Sequence, residues 1–413
     1  MAGEDLAPHY SLEVAGHELR SDITQFIQRV EYESADGIVD TARITAFNPD
    51  FLLSKSKVLA PGNEMDIWMG YGGLVSRVGR VILMTPRVSF PTDGIPIVEV
   101  TGYTKDYLMQ EQKPDPGGKK RIKEIEARLS RAKKWEEKLR WKAVLKRARG
   151  TIVFRDTTVD KVVDERSSGY QFYPDIDPTP FIKGEIQQPS MMSDYQLVQG
   201  LANLTGYLFW VDYDYETGWT LHFRDPTEPL GVQDRVYTFR YNQGDKTTLL
   251  NFVPEMVFRE HFTSIRVQTA NRHPAGLRFG WPLEAEIHEE LGLEADLQHT
   301  GAIEEMEKAP ESAEAVKFFI GNFSFTTKTN VVFRNKKDLE VWASQWYRRM
   351  REQFIVGSGT VIGMESLLAR QVHRLEGMGI PYDGKYYFSK VRHIMETESG
   401  YRCQFSARKI LEG

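Results

Sequence analysis

Two histidines, His373 and His393, a lone cysteine, Cys403, and the carboxylates around Asp212 are the side chains best suited to chemistry in this 413-residue chain. Their spacing forms none of the patterns such chemistry needs. A G-x-S-x-G nucleophile elbow, an H-E-x-x-H zinc helix, a Walker loop and a dinucleotide-binding glycine fingerprint are all missing. Gly70-Tyr71-Gly72-Gly73 follows a strand pattern without opening a helix, so it reads as a turn and not as a phosphate cradle. His288-Glu289-Glu290 begins like a zinc helix, but Gly292 stands where the second histidine belongs, and a solvated acidic loop is expected. Asp212, Asp214 and Glu216 suggest a calcium loop, yet Gly218 comes one place late and the flanks read as strands, which favours a hairpin rim. His373 and His393 are expected as hydrogen-bonded imidazoles in a core, and Cys403, alternating with aromatics, as a core residue. One cysteine permits no internal disulfide and no two-cysteine metal or redox motif. Among 58 acids no glycosidase pair can be singled out, so the expectation is a protein that is not an enzyme and carries no cofactor or metal.

The elements that would position any site are mostly strands. Tyr10, Leu12 and Val14 alternate with polar partners, as do Ala42, Ile44 and Ala46, and Met65, Ile67 and Met69. Ala15-Gly16, Asp36-Gly37, Asn48-Pro49, Pro61-Gly62, Gly72-Gly73 and Asp93-Gly94 punctuate them too closely for crossover helices, which predicts an antiparallel barrel over residues 1–111. Residues 112–150 read as a basic helical insertion, one amphipathic helix or a helical hairpin. Ile122, Ile125, Leu129, Ala132, Leu139 and Ala143 recur at helical spacing, and Glu124–Arg128 and Glu136–Arg140 are favourable i,i+4 pairs.

Residues 151–250 read as a small α+β middle domain. A helix from Ser193 to Leu204 has Ser193 as N-cap and Gly206 just beyond its end, and a strand pair, Tyr207–Asp212 and Trp219–Phe223, follows. Residues 251–413 return to strands through Ile265 and Val267, with a helix at Lys336 to Gln353. They end on the alternation of Tyr401, Cys403, Phe405 and Ala407. The fold class expected is therefore mainly β with α+β: two tube-like antiparallel β-barrel domains, the middle domain and the inserted basic helical segment.

Charge is unevenly spread. Fifteen Lys and Arg face five acids between Lys113 and Gly150, whereas eleven acids face Lys308 alone in the acidic loop 284–314, so the two blocks cancel within a net charge of −5. Such blocks mark solvated or interacting surfaces. No apolar run approaches the roughly 18 residues of a membrane helix, and the first residues carry no apolar signal segment. No stable membrane insertion is expected.

The C-terminal motifs carry a family resemblance. Gly359-Thr360-Val361-Ile362-Gly363 leads to Val372-His373-Arg374-Leu375-Glu376-Gly377-Met378-Gly379, then to Tyr382-Asp383-Gly384-Lys385-Tyr386-Tyr387. Lys390-Val391-Arg392-His393, Gly400-Tyr401 and Phe405-Ser406-Ala407-Arg408 close the series. This succession resembles the end of the second tube-like barrel of the phage late control D family, the baseplate hubs of contractile tails. Pro8 to Leu19, Asp40 to Pro49, Pro61-Gly62 through Tyr71, and Val98 to Tyr103 are similar to that family's first barrel. Gln187-Gln188, Ser193-Asp194-Tyr195 and Leu201 to Tyr207 are similar to its middle motif. The resemblance spans about three quarters of the chain; the basic and acidic segments depart from it.

What the resemblance implies is a homotrimeric hub whose paired barrels make a pseudo-sixfold ring between a hexameric tail tube protein and a trimeric central spike protein. Baseplate wedge proteins and the tape measure protein would be further neighbours, with DNA passing through the lumen without specific binding. The place would be the virion tail baseplate, assembled in the bacterial host cytoplasm. The hub of a phage-like contractile injection particle is the alternative, and a tail-associated cell-wall hydrolase a further one. Candidate partner-contact residues are Lys120, Arg121, Arg128, Trp135, Arg140 and Trp141 in the basic segment. Tyr386 and Phe388 join them because the run Lys385 to His393 carries large groups on both faces.

Overall fold

A computed structural model describes residues 7–55, 58–111, 126–131, 138, 141, 151–155, 157–179, 185–189, 192–225, 236–257, 264–269, 283–288, 324–329, 355–380 and 382–410. The N-terminal part supplies β1 (Pro8–Val14), β2 (His17–Glu18), β3 (Ile27–Ala35), β4 (Thr41–Phe47), β5 (Glu64–Tyr71), β6 (Leu74–Ser89) and β7 (Ile97–Tyr103). Short helices α1 (Ser21–Thr24), α2 (Leu52–Lys55) and α3 (Tyr107–Glu111) lie between or after them. Gly72 and Gly73, with φ of 57° and 81°, join Tyr71 to Leu74 in a two-residue hairpin turn whose twist matches the flanking strands. Leu12, Ile44, Ile67 and Met69 are fully buried, as the alternation predicts.

The middle segment contains β8 (Thr151–Arg155), α4 (Val159–Ser167), β9 (Tyr173–Ile176), β10 (Glu185–Pro189), α5 (Asp194–Thr205), β11 (Leu208–Asp214) and β12 (Gly218–Arg224). Helix α5 begins in a capping box. Ser193 Oγ accepts from Gln196 N–H at 3.2 Å, and Gln196 Oε1 accepts from Ser193 N–H at 3.0 Å, so two backbone donors at the helix start are satisfied. Gly206, at φ 82°, ends it. Its apolar face joins Val162, Val163, Val211, Leu221 and Phe223 in a core that also takes in Val39 and Met109, which precede the segment in sequence. Burying a side chain of that size contributes about 1.5–3 kcal/mol, so Val39 and Met109 help dock this unit on the first strands.

The C-terminal part adds β13 (Thr238–Arg240), β14 (Leu249–Met256), β15 (Ser264–Thr269), β16 (Leu283–His288), β17 (Ser324–Thr329), β18 (Ile355–Ile362), β19 (Gln371–Glu376), β20 (Gly384–Glu396) and β21 (Gly400–Lys409). The protein is mainly antiparallel β. Its largest sheet has thirteen strands in the order β14-β18-β21-β20-β3-β4-β7-β6-β5-β1-β2, with β19 on β20 and β13 on β19. The two ends of the chain thus share one sheet, joined where β20 runs antiparallel to β3 from Lys390↔Ala35 to Glu396↔Arg29. One core beneath it holds Val30, Ile44 and Ile67 together with Val391, Cys403 and Phe405.

Three local expectations change. The acidic stretch opens as strand rather than loop: Glu284 to His288 belong to β16, paired with β15 through Arg266↔Glu286. The period-two order Glu-Ala-Glu-Ile was present but masked by its charge. The rest of that stretch, and the helix expected at Lys336 to Gln353, lie outside the described residues. In the basic segment the Arg128 guanidinium carbon lies 5.3 Å from the centre of the Trp141 ring. Thirteen residues of one straight helix would set these positions about 20 Å apart at 1.5 Å per residue, so Arg128 and Trp141 lie closer together than that reading allows, while most of the residues between them lie outside the described residues.

The third change concerns Tyr386 and Phe388. Both are fully buried in the chain's own core, Phe388 stacked on Phe405 with ring centres 4.4 Å apart. The cause is a β-bulge between Phe388 and Lys390, which shifts the phase of the strand. Tyr386 and Phe388 face the core before it, and Val391, His393 and Met395 after it. Strict alternation through Ser389 therefore put the two aromatics on the wrong face. Among the described residues no helix is long and apolar enough to cross a membrane.

Candidate functional site: a charge-paired sheet face and its keystone

With Val30 and Tyr32 of β3 and Val391 and Met395 of β20 turned to the core, the intervening positions form the opposite face of the shared sheet, where Ile394 and its partner Glu31 are themselves buried. On β3 these are Arg29, Glu31 and Glu33; on β20 they are Lys390, Arg392, Ile394 and Glu396; Arg402, Gln404 and Ser406 follow on β21. The charges are matched across strands. Glu33 places one carboxylate oxygen 2.7 Å from Lys390 Nζ and the other 2.6 Å from Arg392 Nε. Glu396 mirrors this, with Arg29 Nη1 and Arg402 Nη2 each at 2.7 Å. Glu31 also pairs with Arg29, and Arg43 on β4 lies 3.8 Å from Glu99 on β7. Partly exposed pairs of this kind are each worth about 0–1 kcal/mol. Their more distinctive effect is on charge, since four cations at the seam face three carboxylates.

Both bridging carboxylates are held ionised. Burial pushes the Glu33 carboxyl upward, but hydrogen bonds and charge from Lys390 and Arg392 keep it below its ordinary value. The Ser399 hydroxyl, aided by Arg29 and Arg402, lowers Glu396. Beside Lys390 and Arg392 the face hollows into a concavity of about 340 Å³ lined also by Asn251, Thr360 and Gln404. Gly359 lies under it, where an added Cβ would meet the Phe405 ring at 2.7 Å.

A second constellation ties the chain's three parts together. Arg370, in the loop between β18 and β19, has a left-handed backbone (φ 70°) and a buried guanidinium. Its Nη1 donates to Ala35 O at 2.8 Å and its Nη2 to Asp40 Oδ2 at 3.1 Å. Its guanidinium carbon lies 5.2 Å from the centre of the Trp210 ring of β11, at cation–π range. Trp210 stacks on His222, which sits between Asp175 at 2.6 Å and Asp212 at 3.0 Å. Burial would lower His222, but the hydrogen bonds and charge of Asp212 and Asp175 raise it. Desolvation outweighs Arg370 and pushes Asp40 up to about 6, while Asp106, also buried, rises to about 7. A cavity of about 260 Å³ opens beside this joint.

The hairpin tip of the middle unit is pinned as well. Arg77 Nη2 donates to Tyr213 O at 2.6 Å, Trp219 Nε1 donates to Glu64 at 3.0 Å, and Arg80 lies over the Tyr213 ring. Asp214 is spent on the turn, accepting from the backbone N–H groups of Glu216 and Thr217. His393 bonds Tyr401 Oη at 2.7 Å and Leu367 O at 2.6 Å. Burial lowers both His393 and His373 to about 4 and pushes Cys403 up to about 12. Among the described residues no cluster of three or more His, Cys, Asp or Glu is arranged to hold a metal ion.

Of the basic-segment candidates, Arg128 is exposed and Trp141 half-buried against it, whereas Lys120, Arg121, Trp135 and Arg140 lie outside the described residues. The sequence reading missed Glu33, Glu396 and Arg370. The alternation Arg29-x-Glu31-x-Glu33 was visible; the partners some 360 positions away were not.

No protein-family model matches the chain, and no curated protein matches it. Solved structures do. The tail protein from Neisseria meningitidis MC58 superposes with a TM-score of 0.58 at 13% identity, covering 98% of each chain. The 43 kDa tail protein of prophage MuSo2 from Shewanella oneidensis gives 0.59 at 11%, again over 98% of each. A chain of the Francisella PdpA–VgrG complex gives 0.52 at 8%, covering 98% of this chain and 54% of that one. At these identities the likeness is one of fold, the mainly antiparallel fold of these tail proteins.

Proposed function

We propose that the chain is a structural hub of a contractile tail, of the late control D kind, and does no catalysis. Three copies form a pseudo-sixfold ring in which the charge-paired sheet face lines the lumen. One side of the ring receives the hexameric tail tube and the other the trimeric spike, with wedge and tape measure proteins as neighbours in the baseplate of a virion assembled in the host cytoplasm. The observation carrying this reading is the shared sheet. It runs through both ends of the chain, one face sealed on a core and the other carrying partly exposed cations, four at the seam, each bonded to at least one of three carboxylates, as suits a wall that DNA passes without being gripped. The fold shared with prophage tail proteins supports it. Cyclic symmetry turns modest contacts into a closed assembly.

The mass of the purified protein in solution tests the ring. Three copies, or a monomer that trimerises with its spike, is the expected result; a stable dimer overturns it. A zymogram on peptidoglycan tests the absence of catalysis, and clear lysis would favour a tail-associated hydrolase. The likeness to a chain of the PdpA–VgrG complex favours a second reading, the hub of a phage-like injection particle. The ring geometry is common to both, and neighbouring genes separate them.

A further inference from the structure

We infer that Glu33 and Glu396 are charge-masking residues, each bridging two cations and cancelling one unit of the positive charge that would otherwise hold duplex DNA against the sheet face. The inference rests on the lumen reading proposed above and names the residues responsible for it. Each carboxylate spends both oxygens on cations from neighbouring strands: Glu33 on Lys390 and Arg392, Glu396 on Arg29 and Arg402. The four cations, each partly exposed, span three adjacent strands, β3, β20 and β21, around the buried Ile394–Glu31 pair, and Lys390 and Arg392 also line the concavity. Unmasked, such a patch meets the requirement for sequence-independent binding, in which Lys and Arg neutralise phosphates and release counterions. Glu31, shared with Arg29 alone, cannot mask the other three. The opposite face is apolar core, so the patch has one open side.

A purely structural role would make these pairs register pins at the β3–β20 seam. The two roles separate on DNA binding. In the full-length double variant Glu33→Gln and Glu396→Gln, shape and an acceptor oxygen are kept while two negative charges go. Affinity for a short duplex of arbitrary sequence should rise at least about tenfold over wild type at about 50 mM salt. The slope of log K against log salt should steepen by about two to four, and the gain should fade by about 200 mM. Adding Lys390→Gln and Arg392→Gln should reduce the gain by removing half the patch. Should the double variant fail to fold, Glu33→Gln and Glu396→Gln singly carry the same test with half the charge change. A folded variant that binds DNA no better than wild type overturns the inference. The mass measurement stays separate: a wild type that never trimerises overturns the ring alone, whereas a trimer whose variant ignores DNA overturns the masking alone.

Discussion

Arg392 of β20 stands directly opposite Glu33 of β3, its Nε 2.6 Å from a carboxylate oxygen, across the seam where the two ends of the chain become one sheet. The pair lies on the solvated face, while its strand neighbours Val391 and Tyr32 are buried on the other. A directly opposed pair of opposite charges adds about 0.2–1 kcal/mol and disfavours a slipped register, because a one-residue slip of either strand would turn its member of the pair toward the core and part it from its partner. One contact thereby serves the seam's register and offsets positive charge on the face.

Arg370 should matter more to stability than any surface pair. Arg370→Met keeps much of the apolar stem but leaves Asp40 buried without its cation, and is expected to cost about 3 kcal/mol in urea unfolding. Because Arg370 also lies against Trp210, native tryptophan fluorescence should shift with it. A loss under about 0.5 kcal/mol would remove the joint from the account.

The pH dependence has two opposed parts. His373 and His393 are lowered to about 4 in the fold, so their stabilising contribution is present above 6.5 and is lost as pH falls from 6.5 through 4, about 3 kcal/mol for each in full. Asp40 and Asp106, raised to about 6 and 7, cost stability above those values, and that cost is relieved as pH falls through 7 toward 4. The contributions of these four groups should therefore largely offset one another between pH 7 and 4. In Asp106→Asn the relief is gone: the variant should exceed wild type by roughly 2–4 kcal/mol near pH 7.5 and match it near pH 4. Equal stability at both pH values would show that Asp106 is not held up by burial.

Two tyrosine rings lie against bare glycine backbone. A Cβ added at Gly79 would come within 2.2 Å of the Tyr32 ring, and one at Gly363 within 2.2 Å of the Tyr401 ring. Gly79→Ala and Gly363→Ala should each cost about 1–3 kcal/mol by thermal unfolding, as overpacking does in a filled core. Gly169→Ala, with open space around it, serves as the control and should change little.

The basic segment is expected to act as a docking arm, because Ile122, Ile125, Leu129, Trp135 and Trp141 accompany its cations. A solvated helix and a nucleic-acid patch are the competing readings. Deleting residues 117–149 should leave the strands folded, as judged by circular dichroism, and weaken assembly with baseplate neighbours, most at low salt, where the charged contact is least screened. An unfolded deletion variant would place the segment in the core; unchanged assembly at every ionic strength would favour the solvated helix.

Much of the fold was legible because its causes are local. Ser193, Gln196 and Gly206 bracket α5 by hydrogen bonds within one turn of its ends, and Tyr401, Cys403, Phe405 and Ala407 declare a half-buried strand by period two. The bulge at Ser389 was not legible, since it depends on how β21 meets β20, and it misplaced Tyr386 and Phe388. The site was hidden for the same reason. Glu33 reads as one more exposed acid until the sheet brings Lys390 and Arg392 beside it, and Arg370 as one more arginine until Asp40 and Trp210 close around it.

The central claim is that the face bearing Glu33, Arg392 and Gln404 encloses a lumen. A three-dimensional electron-microscopy reconstruction of the assembled particle tests it most directly. The account predicts a threefold ring of six similar lobes with this face lining a central hole. A particle in which the face lies on the outer surface, or is buried against another protein, would contradict it.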